Sequence, residues 1–226
     1  MIVNHQYRYV FLHLPKTGGS SIEAALGLRR QLPGYERPPR DSRVFHPGYR
    51  WIETSSETYE RIGRSKHQIV PSQIPDDYFV FSFVRNPWDR ILSYYLFRTR
   101  EPRQLSSRHV SPAERNMDFK TWLTSLEEIK NLRNSRDFEI SIASQCQSLA
   151  DLPDFIGRFE SLEQDFRFVC GQIGFEPSKL LNVNPTTVKD RHYSTYYNDE
   201  TRELVAARYA DDIERYGYNF SPAVSS

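Results

Sequence analysis

An α/β fold with a central, mostly parallel sheet flanked by helices is predicted by two buried strands that each run directly into a helix start. A third short strand repeats the pattern further along. The first strand, Tyr9–Leu14, is rich in β-formers and too continuously apolar for a surface strand. Pro15 ends it, and Lys16-Thr17-Gly18-Gly19-Ser20-Ser21 turns the chain. Ser20 and Glu23 have the spacing of a capping box, so a helix is expected to open there, with Glu23 explained as a cap. Gly18 and Gly19 let the backbone approach a ligand closely. An anion at this turn would gain unpaired N–H groups and the positive end of the helix dipole. It would also gain the hydroxyls of Thr17, Ser20 and Ser21 and the Lys16 ammonium, which together make a phosphate cradle.

The second strand, Tyr78–Val84, leads to Arg85-Asn86-Pro87, with Asn86 as helix cap and Pro87 in the first helical position. Arg85 therefore stands at the C-terminal end of a strand, the edge of an open α/β sheet where ligands bind. Ser93 lies two turns into the helix and is placed to share a second phosphate with Arg85; the competing reading pairs Arg85 with Asp89. Trp88, Tyr94 and Tyr95 read as core or stacking aromatics. Two such sites suit a ligand with two separated phosphate groups.

The intervening segments read as inserts. Residues 29–55 carry Pro33-Gly34, Pro38-Pro39 and Pro47-Gly48, which break regular structure, and residues 100–115 form a second polar loop; both are expected to bind substrate. Helices are expected at 117–131 and 136–149, followed by a strand at Asp154–Phe159. Ser161–Gln164 has the form of a second capping box, opening a helix that ends near Gly171 or Gly174. Residues 175–197 read as a loop. Asp199–Tyr216 reads as one terminal helix with the apolar stripe Val205, Tyr209, Ile213 and Tyr216. The whole of 1–226 is expected to be a single domain.

Composition is that of an ordinary globular chain, with 38% hydrophobic and 26% charged residues. A net charge of +1 argues against binding nucleic acid through bulk basicity. Two cysteines, Cys146 and Cys170, make a disulfide framework an unsuitable reading and favour a reducing, cytoplasmic setting. The sequence shows neither an apolar signal region nor a membrane-length apolar window. No Cys/His cluster has metal-ligand spacing, so no metal is expected.

Pro15-Lys-Thr-Gly-Gly-Ser-Ser21 resembles the 5′-phosphosulfate loop of sulfotransferases that use 3′-phosphoadenosine 5′-phosphosulfate (PAPS). Val84-Arg-Asn-Pro-Trp-Asp-Arg-Ile-Leu-Ser93 resembles their 3′-phosphate motif. Phe155–Phe166 and the C-terminal Tyr196–Val205 and Ile213–Phe220 are also similar to the group that includes carbohydrate sulfotransferases. The resemblance implies a P-loop-like three-layer sandwich, with PAPS as co-substrate and adenosine 3′,5′-bisphosphate as product. It implies an acceptor hydroxyl, a glycan being favoured over a peptide or small metabolite. Many relatives are membrane-anchored and lumenal, a pattern from which this chain departs.

Carried over residue by residue, the resemblance assigns Lys16, Thr17, Gly18, Gly19, Ser20 and Ser21 to the phosphosulfate and Arg85 and Ser93 to the 3′-phosphate. Thr187, Lys189 and Arg191 fall in a flap over the nucleotide, where a solvated loop is the competing reading. Lys16 would stabilise charge on the leaving oxygen. His67 is the first choice of general base, because relatives carry a histidine in this region and imidazole titrates near neutrality. His13 is the backup base, although a histidine on a buried strand is more often a core residue. His46 and His109 lie in the substrate loops and are candidates to contact the acceptor, while His5 and His192 have weaker positional claims. Arg158, at the end of the third strand, either faces the crevice or pairs with Glu160 or Asp154.

A P-loop kinase or NTPase is the rival enzyme class. Its Walker lysine follows the last glycine, whereas Lys16 precedes Gly18 and Gly19. A nucleotide-binding protein that has lost turnover is the rival outside catalysis.

Overall fold

A computed structural model of the chain describes residues 1–27, 29–31, 49–51, 59–61, 67–99, 112–133, 135–176 and 192–222. Its main sheet contains β1 (Ile2–Asn4), β2 (Tyr9–Leu12), β5 (Tyr59–Arg61), β6 (Phe79–Val84) and β7 (Phe155–Arg158) in the order β5-β1-β2-β6-β7. The pairs β2–β6 and β6–β7 are parallel, whereas β1 is antiparallel to both β2 and β5. The sheet is therefore mixed, and the mostly parallel sheet expected from the sequence is limited to its three central and C-terminal strands. Only His5–Arg8 separate β1 from β2. A parallel crossover needs about a dozen residues, so four can only close a hairpin. Arg8 adopts φ 51°, and the Tyr7 N–H donates to Asn4 Oδ1 at 2.8 Å, closing the reversal.

Side-chain alternation divides the strands between two cores. Tyr9, Phe11, Phe81 and Phe83 pack on one face with Ile22 and Ala25 of α1 (Gly19–Ala25) and with Phe166, Val169 and Cys170 of α8 (Leu162–Ile173). Val10, Leu12, Val80 and Val84 pack on the other with Leu149 of α7 (Gln145–Leu149), Tyr216 of α10 (Ala210–Tyr216) and Tyr218. Ser82 is buried between them, and its hydroxyl donates across the parallel pair to the Leu12 carbonyl at 2.7 Å. A third core joins α2 (Pro87–Thr99) to α4 (Phe119–Thr124), α5 (Leu126–Arg133), α6 (Arg136–Ile142) and α9 (Asp199–Arg208), with Trp122 at its centre. The short α3 (Pro112–Asn116) supplies buried Glu114, which accepts from Arg98 and Trp122.

Several expected elements are divided. The helix placed at 117–131 breaks at Ser125, and the one at 136–149 breaks at Ala143–Ser144. The single helix at 199–216 breaks at Tyr209, whose backbone leaves the helical range (φ −117°, ψ 31°) while its hydroxyl donates to the Ile142 carbonyl. The apolar stripe runs straight through that break, which is why periodicity did not register it. The insert 29–55 is not irregular at its two described ends: β3 (Arg29–Gln31) pairs antiparallel with β4 (Tyr49–Trp51). Residues 100–111 and 177–191 lie outside the described residues.

Candidate active site

The turn after β2 stands beside the turn after β6 because those two strands are parallel neighbours, Leu12 in register with Ser82. Lys16 takes φ 68°, a left-handed value that a side chain tolerates poorly, and Gly18 follows at φ 85° as the N-cap of α1. A Cβ on Gly18 would come within 2.9 Å of Leu162 Cδ2, and one on Gly19 would overlap the His13 ring. Thr17 is buried, and its hydroxyl donates to the Leu14 carbonyl at 3.0 Å. Ser20 and Ser21 are half-buried. The Lys16 ammonium lies 4.4 Å from the centre of the Phe97 ring on α2.

Two arginines, Arg85 just past the end of β6 and Arg90 in the first turn of α2, hold this turn by its carbonyls. Arg85 donates from Nη1 to the Lys16 carbonyl at 3.0 Å, and Arg90 donates from Nε to the Pro15 carbonyl at 3.2 Å. Arg85 also forms the ion pair weighed in the sequence, donating from Nε and Nη2 to Asp89 Oδ2 at 2.9 and 2.7 Å, and it lies 4.0 Å above the Phe159 ring. Of its five N–H groups these bonds use three, which leaves one on each terminal nitrogen. Arg90 also donates to the carbonyls of Ala143 and Ser141 at 2.9 and 3.1 Å; burial lowers its pKa from the ordinary guanidinium value. Ser93 is buried two turns further along α2.

The Arg85 main chain is clamped as well. Its N–H donates to Gln145 Oε1 and its carbonyl accepts from Gln145 Nε2, both at 2.9 Å. Gln145 Nε2 also reaches Asp212 Oδ2 at 3.3 Å, and Asp212 accepts from Ser144 Oγ and from the N–H groups of Gln145 and Cys146. Arg90, Gln145 and Asp212 were not among the candidates. Their roles are to grip backbone across 51 to 75 residues of chain, and no local spacing signals that.

His67 is brought to the same turn. Its Nδ1 is 3.0 Å from the His13 carbonyl, and its ring meets the His13 ring edge-on at 4.5 Å. A carbonyl only accepts, so Nδ1 carries the proton and Nε2 bears the lone pair of the neutral ring. His13 contacts Glu23 through Nδ1 and Oε1 at 2.6 Å, both groups being buried. The capping-box reading of Glu23 is thus corrected: α1 begins two residues early, with Gly18 rather than Ser20 as its cap, and Glu23 turns inward to the imidazole. Ser161 likewise makes no cap; its hydroxyl donates to Asp165 at 2.8 Å.

Other candidates fall elsewhere. His5 contacts the Tyr78 hydroxyl in the turn at the opposite end of β2, and His192 caps the short turn Tyr193–Tyr196. Arg158 donates to the Tyr216 carbonyl and lies over the Tyr218 ring, 4.8 Å from its centre, rather than pairing with Glu160 or Asp154. Glu160 instead accepts from the Asn86 N–H and Asp154 from the Val80 N–H, each at 2.7 Å. His46, His109, Thr187, Lys189 and Arg191 lie outside the described residues. Among the described residues no group of three or more His, Cys, Asp or Glu side chains is gathered to hold a metal ion, and no helix is long and apolar enough to cross a membrane. Both cysteines are free thiols.

This arrangement joins two strand–helix junctions, with a cation, hydroxyls and an imidazole around one turn. The model of the sulfotransferase family matches residues 1–219. The chain belongs to that family. Family membership supports a transferase that moves a sulfuryl group. This sulfotransferase-family chain is also 28% identical, over 126 residues, to an uncharacterized protein of Archaeoglobus fulgidus, a match covering 55% of this chain and 89% of the relative. No solved structure matches it.

Proposed function

We propose that the protein transfers the sulfuryl group of PAPS to an acceptor hydroxyl by in-line displacement, releasing adenosine 3′,5′-bisphosphate. The observation that carries this reading is the grip of Arg85 and Arg90 on the Lys16 and Pro15 carbonyls. In a trans peptide the N–H of the next residue points opposite to the carbonyl. Turning those carbonyls toward the arginines therefore aims the Lys16 and Thr17 amides away from them, as an anion cradle requires. In this reading the turn holds the phosphosulfate through Lys16, Thr17, Gly18, Gly19, Ser20 and Ser21. Arg85 and Ser93 hold the 3′-phosphate, with Lys189 and Arg191 closing over the nucleotide. Arg85 brings its two remaining N–H groups to that phosphate while Asp89 keeps its fork in place.

The acceptor oxygen attacks sulfur as the bond from sulfur to the bridging oxygen breaks. Nε2 of His67 takes the acceptor's proton, and Lys16 stabilises the charge that develops on the leaving phosphate. The order of the turn, lysine before the glycines, and the handling of Arg85 favour this chemistry over a magnesium-dependent kinase. Sugar hydroxyls are the favoured acceptors, because the Tyr- and Arg-rich insert 29–55 offers stacking faces and forked donors. A glycan panel with labelled PAPS tests the class.

Titration decides the core of the reading. PAPS and the bisphosphate should both raise the melting temperature; failure of both, or preference for ATP with magnesium, removes it. His67→Ala should abolish turnover at unchanged nucleotide affinity. Lys16→Ala should cost about 3–4 kcal/mol of transition-state stabilisation, roughly 10²–10³ in kcat.

A further inference from the structure

A buried acid–imidazole pair lies beneath the first turn, and none of the steps above uses it. His13 sits just past the end of β2 and Glu23 inside α1, and they meet at 2.6 Å with exposures of 3% and 0%. The His13 ring is stacked on Phe11 (centres 5.3 Å apart, planes 13°) and edge-on to His67. Three ring atoms, Nε2, Cδ2 and Cε1, occupy the place a Cβ on Gly19 would take, so the main chain of the turn rests directly on the ring's edge.

Such a pair is a weak way to stabilise a core. Apolar side chains of similar shape do as well or better in most buried sites. What it supplies that leucines would not is a flat edge in one orientation, since the Nδ1 contact with Glu23 decides which way the imidazole faces. The same residue offers its carbonyl to His67 Nδ1. Loop height and base orientation are thus referred to one residue.

We propose that His13 and Glu23 form a positioning pair: Glu23 locks the ring, the ring edge sets the path of the main chain at Gly18–Gly19, and the His13 carbonyl holds His67 in register with it. The inference rests on the reading of this turn as the donor's phosphosulfate site.

Hydrogen exchange on the ligand-free full chain, paired with calorimetric titration of adenosine 3′,5′-bisphosphate, tests it. The Ser21 and Ile22 amides both donate to the Gly18 carbonyl and report on the turn. Glu23→Gln keeps the shape and should speed their exchange at least about tenfold while exchange in β2 and β6 stays the same; bisphosphate should bind about tenfold more weakly. Gly19→Ala should weaken binding and turn protection comparably in the wild-type chain but much less in a His13→Asn background, where the ring edge is gone. That cycle stands alone if Glu23→Gln does not fold.

Exchange that changes evenly across strands and turn, or an equal cost of Gly19→Ala in both backgrounds, overturns the proposal by reducing the pair to core packing. A wild-type chain that ignores the bisphosphate, with Glu23→Gln still giving the localised exchange response, retains the positioning pair and loses the donor reading. A chain that binds, with Glu23→Gln binding and exchanging like wild type, has the opposite outcome.

Discussion

Removing the Asp212 carboxylate is expected to unfasten the second half of the site from the C-terminal helix. Asp212 is fully buried and accepts four hydrogen bonds, from Ser144 Oγ (2.8 Å), Cys146 N–H (2.8 Å), Gln145 N–H (2.9 Å) and Gln145 Nε2 (3.3 Å). In Asp212→Ala the serine and the glutamine amide can turn, but the two backbone donors at the start of α7 cannot. Each orphaned buried donor costs about 1–3 kcal/mol, so the substitution should cost about 4 kcal/mol against a typical domain stability of about 5–15 kcal/mol. Urea unfolding followed by far-UV circular dichroism should show the midpoint falling by about 1.5 M, taking an m value near the top of the usual range of about 1–3 kcal/mol/M. Asp212→Asn, which keeps one acceptor oxygen, should lie between the two. Nucleotide affinity should also weaken in Asp212→Asn, because Gln145 Nε2 is shared with the Arg85 carbonyl. A midpoint shift below about 0.3 M for Asp212→Ala would show that these four bonds do not hold the junction together.

Gly157→Ala should destabilise by about 1–3 kcal/mol in the same assay, because the added methyl would overlap the Phe83 ring on the strand paired with β7; an unchanged midpoint would mean that the ring has room to move. Alkaline stability should report on Cys170, whose thiol burial pushes up to about 11 from its ordinary 9.0. Between those values the unfolded chain has released the proton while the folded chain still binds it, so stability should fall as pH rises from 9 toward 11 and this contribution should be absent below 9. Unfolding midpoints from pH 8 to about 10.5 should fall less steeply in Cys170→Ala, and parallel slopes would refute the assignment.

The strands were legible where β-formers crowd together: Tyr9–Leu12, Phe79–Val84 and Phe155–Arg158 all fall inside the expected runs. β1 escaped notice because three residues carry no measurable period, and with it went the antiparallel half of the sheet. Asn86 caps its helix as read, its Oδ1 accepting from the Trp88 N–H at 3.1 Å. Ser20-x-x-Glu23 has the same local spelling as a cap, but the glutamate's partner lies ten residues back, just past the end of β2. Local pattern reports which groups can pair, while tertiary packing decides which do. The grips of Arg90, Gln145 and Asp212 belong to that second class, and His67 was placed near the turn by resemblance rather than by its own neighbours.

The hold of Arg85 and Arg90 on the first turn has a consequence for biosynthesis. The turn is made within the first 21 residues, yet its carbonyls meet their donors 69 and 75 positions later, and the amide that steadies Arg85 comes another 60 positions on. On the ribosome the turn emerges long before anything exists to shape it, and the last contributor, Asp212, follows Gln145 by a further 67 positions. Ligand competence should therefore arise late and all at once in a growing chain. No N-terminal fragment that stops short of α2 should be able to retain nucleotide, however well its first strands pair.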